Sequence, residues 1–457
     1  MNLNPIATVL SKLQTKNFYS TRNGKIFANL SLTVVFKFTN MLISFFMVPI
    51  TLGFLDKTRY GLWAALSSVL AWFFIFDIGI GNGLRNKCTE LMAKGDKTLL
   101  KKYVSTTYFI FSFLAALMIL IYIIISQFID WAVILKSPPE YGKELGTVVV
   151  WVFIVMCLHF VFKLVSTILI ADLKNAISDS LTVFSHVITL IGIIILSKFT
   201  TPSIFKYAIL YTGANLGVTI IASVYLYRTI YRDIAPSFKH IDLSLRKDLL
   251  NVGLKFFLIQ IAVLILYQST NLIISNQLGP DQVTDYSISM QYFSMATMLF
   301  TMLLNPLWSG YGDAYHRGDY AWINVTIKRL RYLWILLVIA LFLMLAVQKP
   351  VFHIWLKDRV VIDYGLSLSF VAYNALRLYD SIYNPLINAT GRLKLQMILI
   401  LIFVPFFIPL SVGLVKYLGL GAKGVVLALI AITIPAVVYK PIQCKKILAG
   451  EKGIWTQ

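Results

Sequence analysis

The sequence predicts an all-α membrane protein that crosses the bilayer about twelve times, with two pseudo-symmetric six-helix lobes around a central cavity. The chain has 457 residues, of which 58% are hydrophobic and 13% are charged, whereas soluble domains carry about 25% charged residues. The apolar residues come in runs of about 18 or more, which are typical of transmembrane helices. The alternating segments of about ten residues that form membrane β-barrels are absent from the sequence, so helices remain.

Twelve apolar runs predict the membrane spans, and short connections join them. The predicted spans are 28–54, 62–83, 103–129, 147–171, 180–197, 204–227, 251–276, 285–308, 332–348, 364–388, 396–415 and 424–440. Four basic residues precede the first run, as in a signal peptide: Lys12, Lys16, Arg22 and Lys25. Because the run itself is too long for a signal peptide, it predicts an uncleaved first helix.

The distribution of Lys and Arg predicts that both termini lie in the cytoplasm. With this orientation, cytoplasmic segments hold 26 of the 41 Lys and Arg residues, outer segments hold 11 and the spans hold four. Cytoplasmic loops of membrane proteins collect basic residues in this way. The net charge of +21 therefore does not predict a nucleic-acid partner.

The two halves of the sequence resemble each other, which predicts lobes at 1–227 and 251–457 joined by a cytoplasmic linker at 228–250. The loop at 93–96 reads Ala-Lys-Gly-Asp, and the loop at 316–319 reads His-Arg-Gly-Asp. The offset is about 220 to 230 residues, close to half the chain. Parallel repeats of this kind are used by transporters to place a site between the halves.

Charged residues within the predicted spans are the first candidates for function, because each costs about 2.5–3.5 kcal/mol to insert. The predicted cavity cations are Lys37, Lys163, Lys255, Arg377 and, at the inner mouth, Arg85. The acids available for coupling or pairing are Asp77 and Asp380, and the predicted polar lining is Asn40, Asn86, Asn271 and Asn374. Two alternatives remain open: Lys255 could extend to the membrane surface, and Arg377 could pair with Asp380 three residues later.

The excess of cations over acids predicts a positive, water-filled cavity that attracts anions, with phosphate or diphosphate as the natural ligand. Three widely spaced cysteines and isolated histidines predict neither a disulfide framework nor a metal site. The chain has no GxxxxGK[ST] motif for ATP hydrolysis, so no cofactor is predicted. Tryptophans could stack on sugars, although a membrane-interface belt is the favoured interpretation. They are Trp63, Trp72, Trp308 and Trp355.

One stretch of the sequence carries a specific set of residues: Lys37, Asn40-Met41, Val48-Pro49, Leu55, Tyr60-Gly61-Leu62-Trp63 and Phe76-Asp77-Ile78-Gly79-Ile80-Gly81-Asn82-Gly83-Leu84-Arg85-Asn86-Lys87. This stretch resembles the bacterial O-antigen and polysaccharide flippases (Wzx-like), a family of the multidrug/oligosaccharidyl-lipid/polysaccharide exporter superfamily. The resemblance is most specific over 37–105. Lys37, Asp77 and Arg85 fall within the match, whereas Lys163, Lys255 and Arg377 depend on the cavity argument alone.

The resemblance implies two lobes that flip an undecaprenyl-diphosphate-linked oligosaccharide from the cytoplasmic to the periplasmic leaflet. It implies alternating access driven by an H⁺ or Na⁺ gradient, with membrane lipids around the protein. An O-antigen polymerase and a chain-length regulator are the candidate protein partners. The alternatives are a multidrug exporter of the same superfamily, a major-facilitator sugar transporter, and a membrane polymerase or ligase. The short outer loops disfavour an enzyme.

Overall fold

The computed structural model describes residues 22–71, 80–357, 359–451 and 453–456, and these residues form helices joined by short turns. The α-helices of the first half are α1 (Arg22–Ala71), α2 (Ile80–Lys94), α3 (Lys97–Ser126), α4 (Trp131–Ile134), α5 (Gly142–Phe162), α6 (Leu164–Ala171), α7 (Asn175–Phe199) and α8 (Ile204–Arg228). Those of the second half are α9 (Arg246–Leu278), α10 (Pro280–His316), α11 (Tyr320–Ala346), α12 (Gln348–Leu356), α13 (Tyr364–Ser381), α14 (Asn384–Thr390), α15 (Lys394–Phe403), α16 (Phe407–Lys416) and α17 (Ala422–Leu448). Short 3-10 turns occupy Pro139–Tyr141, Arg232–Ile234, Phe238–His240, Leu243–Leu245, Val404–Phe406 and Ile454–Thr456.

Within the described ranges, nine helices are long and apolar enough to cross a membrane. One of them, Ser31–Val69, contains most of the first predicted span at 28–54 and the start of the second at 62–83. Helix α13 coincides with a predicted span but is less apolar, because Asn374, Arg377 and Asp380 interrupt it. The all-α membrane fold is therefore confirmed, whereas the count of twelve spans remains a prediction.

Several helices extend beyond the apolar runs that predict them. Helix α11 begins at Tyr320 rather than at 332, and α17 ends at Leu448 rather than at 440. Helix α7 begins at Asn175 rather than at 180. A helix continues through polar residues as long as its backbone bonds are made, whereas the apolar run marks only the part suited to lipid. Charged residues just outside an apolar run can therefore lie inside the bundle.

A sharp bend at Asp56 divides α1 into two spans. Asp56 has a φ of 70° and a ψ of 175°, and its carboxylate accepts a hydrogen bond of 2.9 Å from the Arg59 N–H. This side chain thereby caps the second half of α1, as aspartates commonly do at helix starts. Gly279 has nearly the same conformation, with a φ of 91° and a ψ of 168°, at the junction of α9 and α10.

The loop before α3 and the loop before α11 form a second matched pair. Gly95 and Gly318 have φ values of 74° and 75°. The following aspartates cap their helices, Asp96 by accepting from the Leu99 N–H and Asp319 from the Trp322 N–H. The two glycines are 223 positions apart, as are Asp56 and Gly279. The halves therefore repeat the same turns at the offset that the sequence predicts.

The packing of the helices gives two bundles that meet along α1. This helix packs on α7 of its own half and on α10 of the second half. Further contacts between the halves join α1 and α2 to α9. In the first half α5 packs on α8, and in the second half α13 packs on α17. The interface between the halves is thus built mainly from α1, α2, α9 and α10.

Candidate functional site

A cavity of about 520 Å³ lies where α1, α5, α7 and α8 face α9 and α10, and we name it the aromatic cavity. Its aromatic lining consists of Tyr60, Trp63, His159, His186, Tyr207 and Tyr211. Amide side chains complete the wall at Asn215, Gln268, Asn271 and Gln291. Among the described residues that line it, none is Lys, Arg, Asp or Glu. The wall therefore offers rings, hydroxyls and amides rather than formal charge.

Four rings of the aromatic cavity, those of Trp63, His186, Tyr207 and Tyr211, form a connected cluster centred on Tyr211. The Tyr211 ring centroid lies 5.6 Å from that of Trp63 in an edge-on arrangement and 5.9 Å from that of Tyr207 in a stacked one. The His186 ring lies 6.1 Å away on the same cluster. Aromatic pairs prefer these geometries, which hold each ring in place. The cavity thus presents a rigid aromatic wall.

The structure corrects the favoured interpretation of two tryptophans as membrane-interface residues. Trp63 is 8% exposed and lies in the wall of the aromatic cavity. Trp355 is also buried, because its ring stacks on Phe45 at 4.1 Å and its N–H donates to the Phe45 carbonyl. Trp308 is exposed, as a belt residue would be. Trp72 lies outside the described residues.

Amide groups tie the two halves together at the aromatic cavity. The Asn271 Nδ2 of α9 donates to the Ser68 Oγ of α1 at 2.9 Å. The Gln291 Nε2 of α10 donates to the Ser44 carbonyl at 2.9 Å. Asn271, a polar lining residue predicted from the sequence, thus lies at the cavity and also joins the halves.

A second cavity, of about 330 Å³, lies between α1, α7 and α10 and contains Lys37; we name it the Lys37 cavity. Asn40 and Asp179 share its wall, and Lys37 is close enough to Asp179 for the two charges to interact. The Asn40 Oδ1 lies 2.6 Å from the His186 Nδ1, and His186 belongs to the aromatic cavity. The two cavities are therefore neighbours that share this hydrogen-bonded pair.

Arg377 lies elsewhere, in a cavity of about 160 Å³ inside the second half. Its guanidinium carbon sits 5.0 Å from the centroid of the Tyr267 ring. The ion pair of Asp380 is formed with Lys440, at 2.7 Å, and not with Arg377. The Lys440 Nζ also donates to the Asn384 Oδ1 at 2.7 Å. Sequence reasoning missed Lys440, because the predicted span ends at that residue.

The Asp380–Lys440 pair is expected to stabilise the second half, because the two side chains are only 16% and 6% exposed. Breaking a buried ion pair from one side costs about 3–5 kcal/mol, since the remaining charge has no partner. Asp380→Asn should therefore lower the melting temperature of the detergent-purified protein, and Asp380→Asn with Lys440→Met should recover much of the loss. An unchanged melting temperature in the single variant would contradict this assignment.

The remaining predicted residues are dispersed. Lys163 lies at the junction of α5 and α6, four residues after His159, and its side chain is exposed. Arg85 and Asn86 are exposed on α2. Asn374 is not in the lining of the three cavities described above: it is 2% exposed, its side-chain oxygen accepts from the Thr297 hydroxyl, and its amide donates to the Phe370 carbonyl. Asp77 and the Lys255 side chain lie outside what the structure describes.

At one end of the interface the halves are joined by a cluster of polar bonds, which we name the latch. Its residues are Lys57, Thr58, Asp281, Thr284 and Asp285. The Lys57 Nζ lies 2.8 Å from the Asp285 carboxylate, and the Thr58 Oγ1 donates to the Asp281 carboxylate at 2.7 Å. The Thr284 hydroxyl donates to the Lys57 carbonyl at 2.6 Å. The latch closes the interface beside the bend of α1.

The latch lies on the pseudo-twofold axis of the molecule. Thr58 and Asp281 are separated by 223 positions, which is the offset between equivalent residues of the halves, and two equivalent positions can touch only near the axis. Gly61 faces the Pro280 carbonyl so closely that a Cβ there would overlap it. The two halves therefore meet tightly at this end, where symmetry-related helical segments approach each other.

Comparisons with known proteins match the chain to one family. A family model described as polysaccharide biosynthesis protein matches residues 26–308. A Salmonella typhimurium protein provisionally named an O-antigen transporter is 23% identical over 366 residues, covering 76% of this chain and 80% of the relative. A Yersinia pseudotuberculosis protein provisionally named an O-antigen export protein is 21% identical over 416 residues, covering 86% of this chain and 90% of the relative.

Solved structures match the fold over most of the chain. An inward-facing multidrug resistance MATE family transporter of the MOP superfamily has a TM-score of 0.74 at 12% identity, covering 93% of this chain and all of that one. An outward-facing conformation of such a transporter has a TM-score of 0.63. The lipid II flippase MurJ in an inward closed conformation has a TM-score of 0.70 at 13% identity, covering 92% and 89%. The chain belongs to the polysaccharide biosynthesis protein family and has the two-lobed fold that MATE transporters share with MurJ.

Proposed function

We propose that this protein flips an undecaprenyl-diphosphate-linked oligosaccharide, such as an O-antigen repeat unit, from the cytoplasmic to the periplasmic leaflet by alternating access. The single observation that carries the proposal is a polar hollow between two symmetry-related halves that are fastened at one end. A saccharide diphosphate in lipid would lose its hydration without compensation, which is very costly. A hollow that opens in turn to either side offers the headgroup a polar route.

The position of the latch supports a cavity that is open to the cytoplasm. By the distribution of basic residues, residues 57–61 and 280–285 belong to the periplasmic side, so the latch would close the outer end. The TM-score is higher against the inward-facing MATE structure, 0.74, than against the outward-facing one, 0.63, which agrees with a closed outer end. In this state the headgroup would enter from the cytoplasmic leaflet, while the prenyl chain stays in the lipid.

The charge of the two cavities supports a substrate with an anionic and a sugar part. Lys37 supplies a cation in the cavity next to the aromatic cavity, Lys163 follows the cavity residue His159 by four positions, and phosphate groups bind such side chains. The aromatic cavity itself lacks charged residues among those described. An exporter of organic cations, the second candidate, would be expected to present acids there, so the flippase is the better fit.

We also propose that an ion gradient drives the cycle. Asp179 beside Lys37 and Asp380 beside Lys440 are carboxylates that could exchange a proton or Na⁺ as the halves move, and Asp77 is a third candidate outside the described residues. The protein would lie in the inner membrane with both termini in the cytoplasm. A polymerase and a chain-length regulator that act on the flipped unit remain its proposed partners.

Deleting the gene in its own host tests the function. We expect the deletion strain to lose surface polysaccharide and to accumulate lipid-linked saccharide that an added lectin cannot reach in spheroplasts. A plasmid copy should restore both. Normal surface polysaccharide without accumulation would contradict the proposal, and accumulation of a lectin-accessible lipid-linked saccharide would place the block after flipping.

A further inference from the structure

The wall of the aromatic cavity contains hydrogen-bonding groups that the fold leaves unused. Among the described residues, no side chain or backbone group bonds to the amides of Asn215 and Gln268, both of which face the cavity. The Ser67 hydroxyl is buried in the same wall and has no partner within the described part of the chain. Buried polar groups are nearly always paired in folded proteins. The unused groups therefore indicate a ligand that supplies hydroxyls or amides.

The rings that share the wall with these groups indicate the shape of that ligand. Trp63, Tyr207 and Tyr211 form a fixed wall of aromatic faces and edges. Pockets that combine apolar rings with a few fixed polar groups select ligands that have both an apolar face and a polar edge. A pyranose is such a ligand, because its C–H groups form one face and its hydroxyls project at the rim.

The charge of the wall indicates which saccharide fits. A carboxylate carried by an acidic sugar would face rings and neutral amides, since the described lining contains no Lys or Arg. Burying an unpaired charge is costly, whereas a neutral sugar would satisfy the free amides without a counterion. Of the described cations, Lys37 lies in the adjoining cavity, beyond the Asn40–His186 contact of 2.6 Å.

We propose that the aromatic cavity holds an uncharged saccharide by stacking and neutral hydrogen bonds, with the diphosphate bound separately in the Lys37 cavity. This inference rests on the proposed function and specifies its substrate class. The Asn40–His186 pair forms the border between the two subsites. A headgroup with a neutral glycan and a charged diphosphate would span that border.

The composition of the natural substrate tests this inference directly. Lipid-linked saccharide extracted from the deletion strain is released by mild acid and analysed by mass spectrometry. We expect neutral sugars and N-acylated amino sugars, without carboxylate, phosphate or sulfate groups. A hexuronic acid or another acidic sugar would overturn the inference while leaving the flippase function standing. If no lipid-linked saccharide accumulates, the proposed function itself fails, and this inference fails with it.

Substitutions at Tyr211 test the stacking wall in the same strain. Tyr211→Leu on a plasmid should restore surface polysaccharide at least tenfold less well than wild type, whereas Tyr211→Phe, which keeps the ring, should come within threefold. Membrane abundance and the melting temperature of each purified variant serve as controls for folding. Full restoration by a stably folded leucine variant would contradict stacking. If that variant does not fold, the substrate composition decides the question.

Discussion

Oxidation of a Thr58→Cys, Asp281→Cys double variant is expected to stop polysaccharide export, and reduction is expected to restore it. The two wild-type side chains already touch, with 2.7 Å between the Thr58 Oγ1 and an Asp281 carboxylate oxygen. Disulfides need Cβ atoms about 3.5–4.5 Å apart, so a small local adjustment should suffice. The disulfide would hold the halves together at the axis, where alternating access requires them to separate.

The size of this effect should be large, because every cycle requires the latch to open. We expect at least a twentyfold loss of export under oxidising conditions, measured as surface polysaccharide formed after induction. The native cysteines Cys88, Cys157 and Cys444 are buried, so they should not form the crosslink. Each single cysteine variant is the matched control. Undiminished export from fully crosslinked protein would show that the latch does not open during transport.

Replacement of Lys37 is expected to have the second largest effect. Lys37 faces a cavity bounded by both halves, so its ammonium is placed to meet the diphosphate. Lys37→Ala should lower export at least tenfold, while Lys37→Arg should retain most of it, because both cations bind phosphate oxygens. The measurement is surface polysaccharide per unit of protein in the membrane.

Asp179 provides the control for this prediction. If Lys37 served only to balance Asp179, then Asp179→Asn with Lys37→Ala should restore export, since both charges are removed together. A cation that binds substrate cannot be replaced in this way, so we expect the double variant to remain as defective as Lys37→Ala. Full export from the double variant would assign Lys37 to structure.

The sequence predicts the fold class because backbone groups in lipid must be hydrogen-bonded within the protein, which restricts spanning segments to helices or closed barrels. Long apolar runs identify the helices directly. The sequence also predicts the repeat, because the turns at Gly95 and Gly318 have a left-handed backbone that favours glycine. A glycine therefore occurs at the equivalent position of each half. Asp56 and Gly279 are harder to match, because the same left-handed turn is made by different residues.

The candidate site is predicted less well, because apolar runs do not show where a helix ends inside the bundle. Asp179 precedes the predicted span at 180–197 and Lys440 ends the one at 424–440, so neither is predicted as a site residue, yet Asp179 lines the Lys37 cavity and Lys440 is buried. The prediction of a single cationic cavity was too simple. Lys37 and Arg377 line different cavities. The cavity that a charged side chain lines depends on how the helices pack against one another, and the sequence of a single helix does not show this.

The aromatic lining illustrates the same limit. Trp63 and Tyr60 belong to the segment that resembles the flippases, but a tryptophan near a span end is usually an interface residue. Its true neighbours, Tyr207 and Tyr211, are about 150 positions away, as the edge contact of 5.0 Å between Trp63 and Tyr207 shows. Nothing in the spacing of single residues predicts that cluster.

The central claim is that this chain alone moves a lipid-linked saccharide between leaflets through a hollow closed by the latch. Purified protein in liposomes that contain undecaprenyl-diphosphate-linked saccharide, with an ion gradient imposed, tests it most directly. We predict that the lectin-accessible fraction on the outer surface rises with wild-type protein and stays at the protein-free level with the oxidised Thr58→Cys, Asp281→Cys variant. Equal accessibility in all three preparations would contradict the claim.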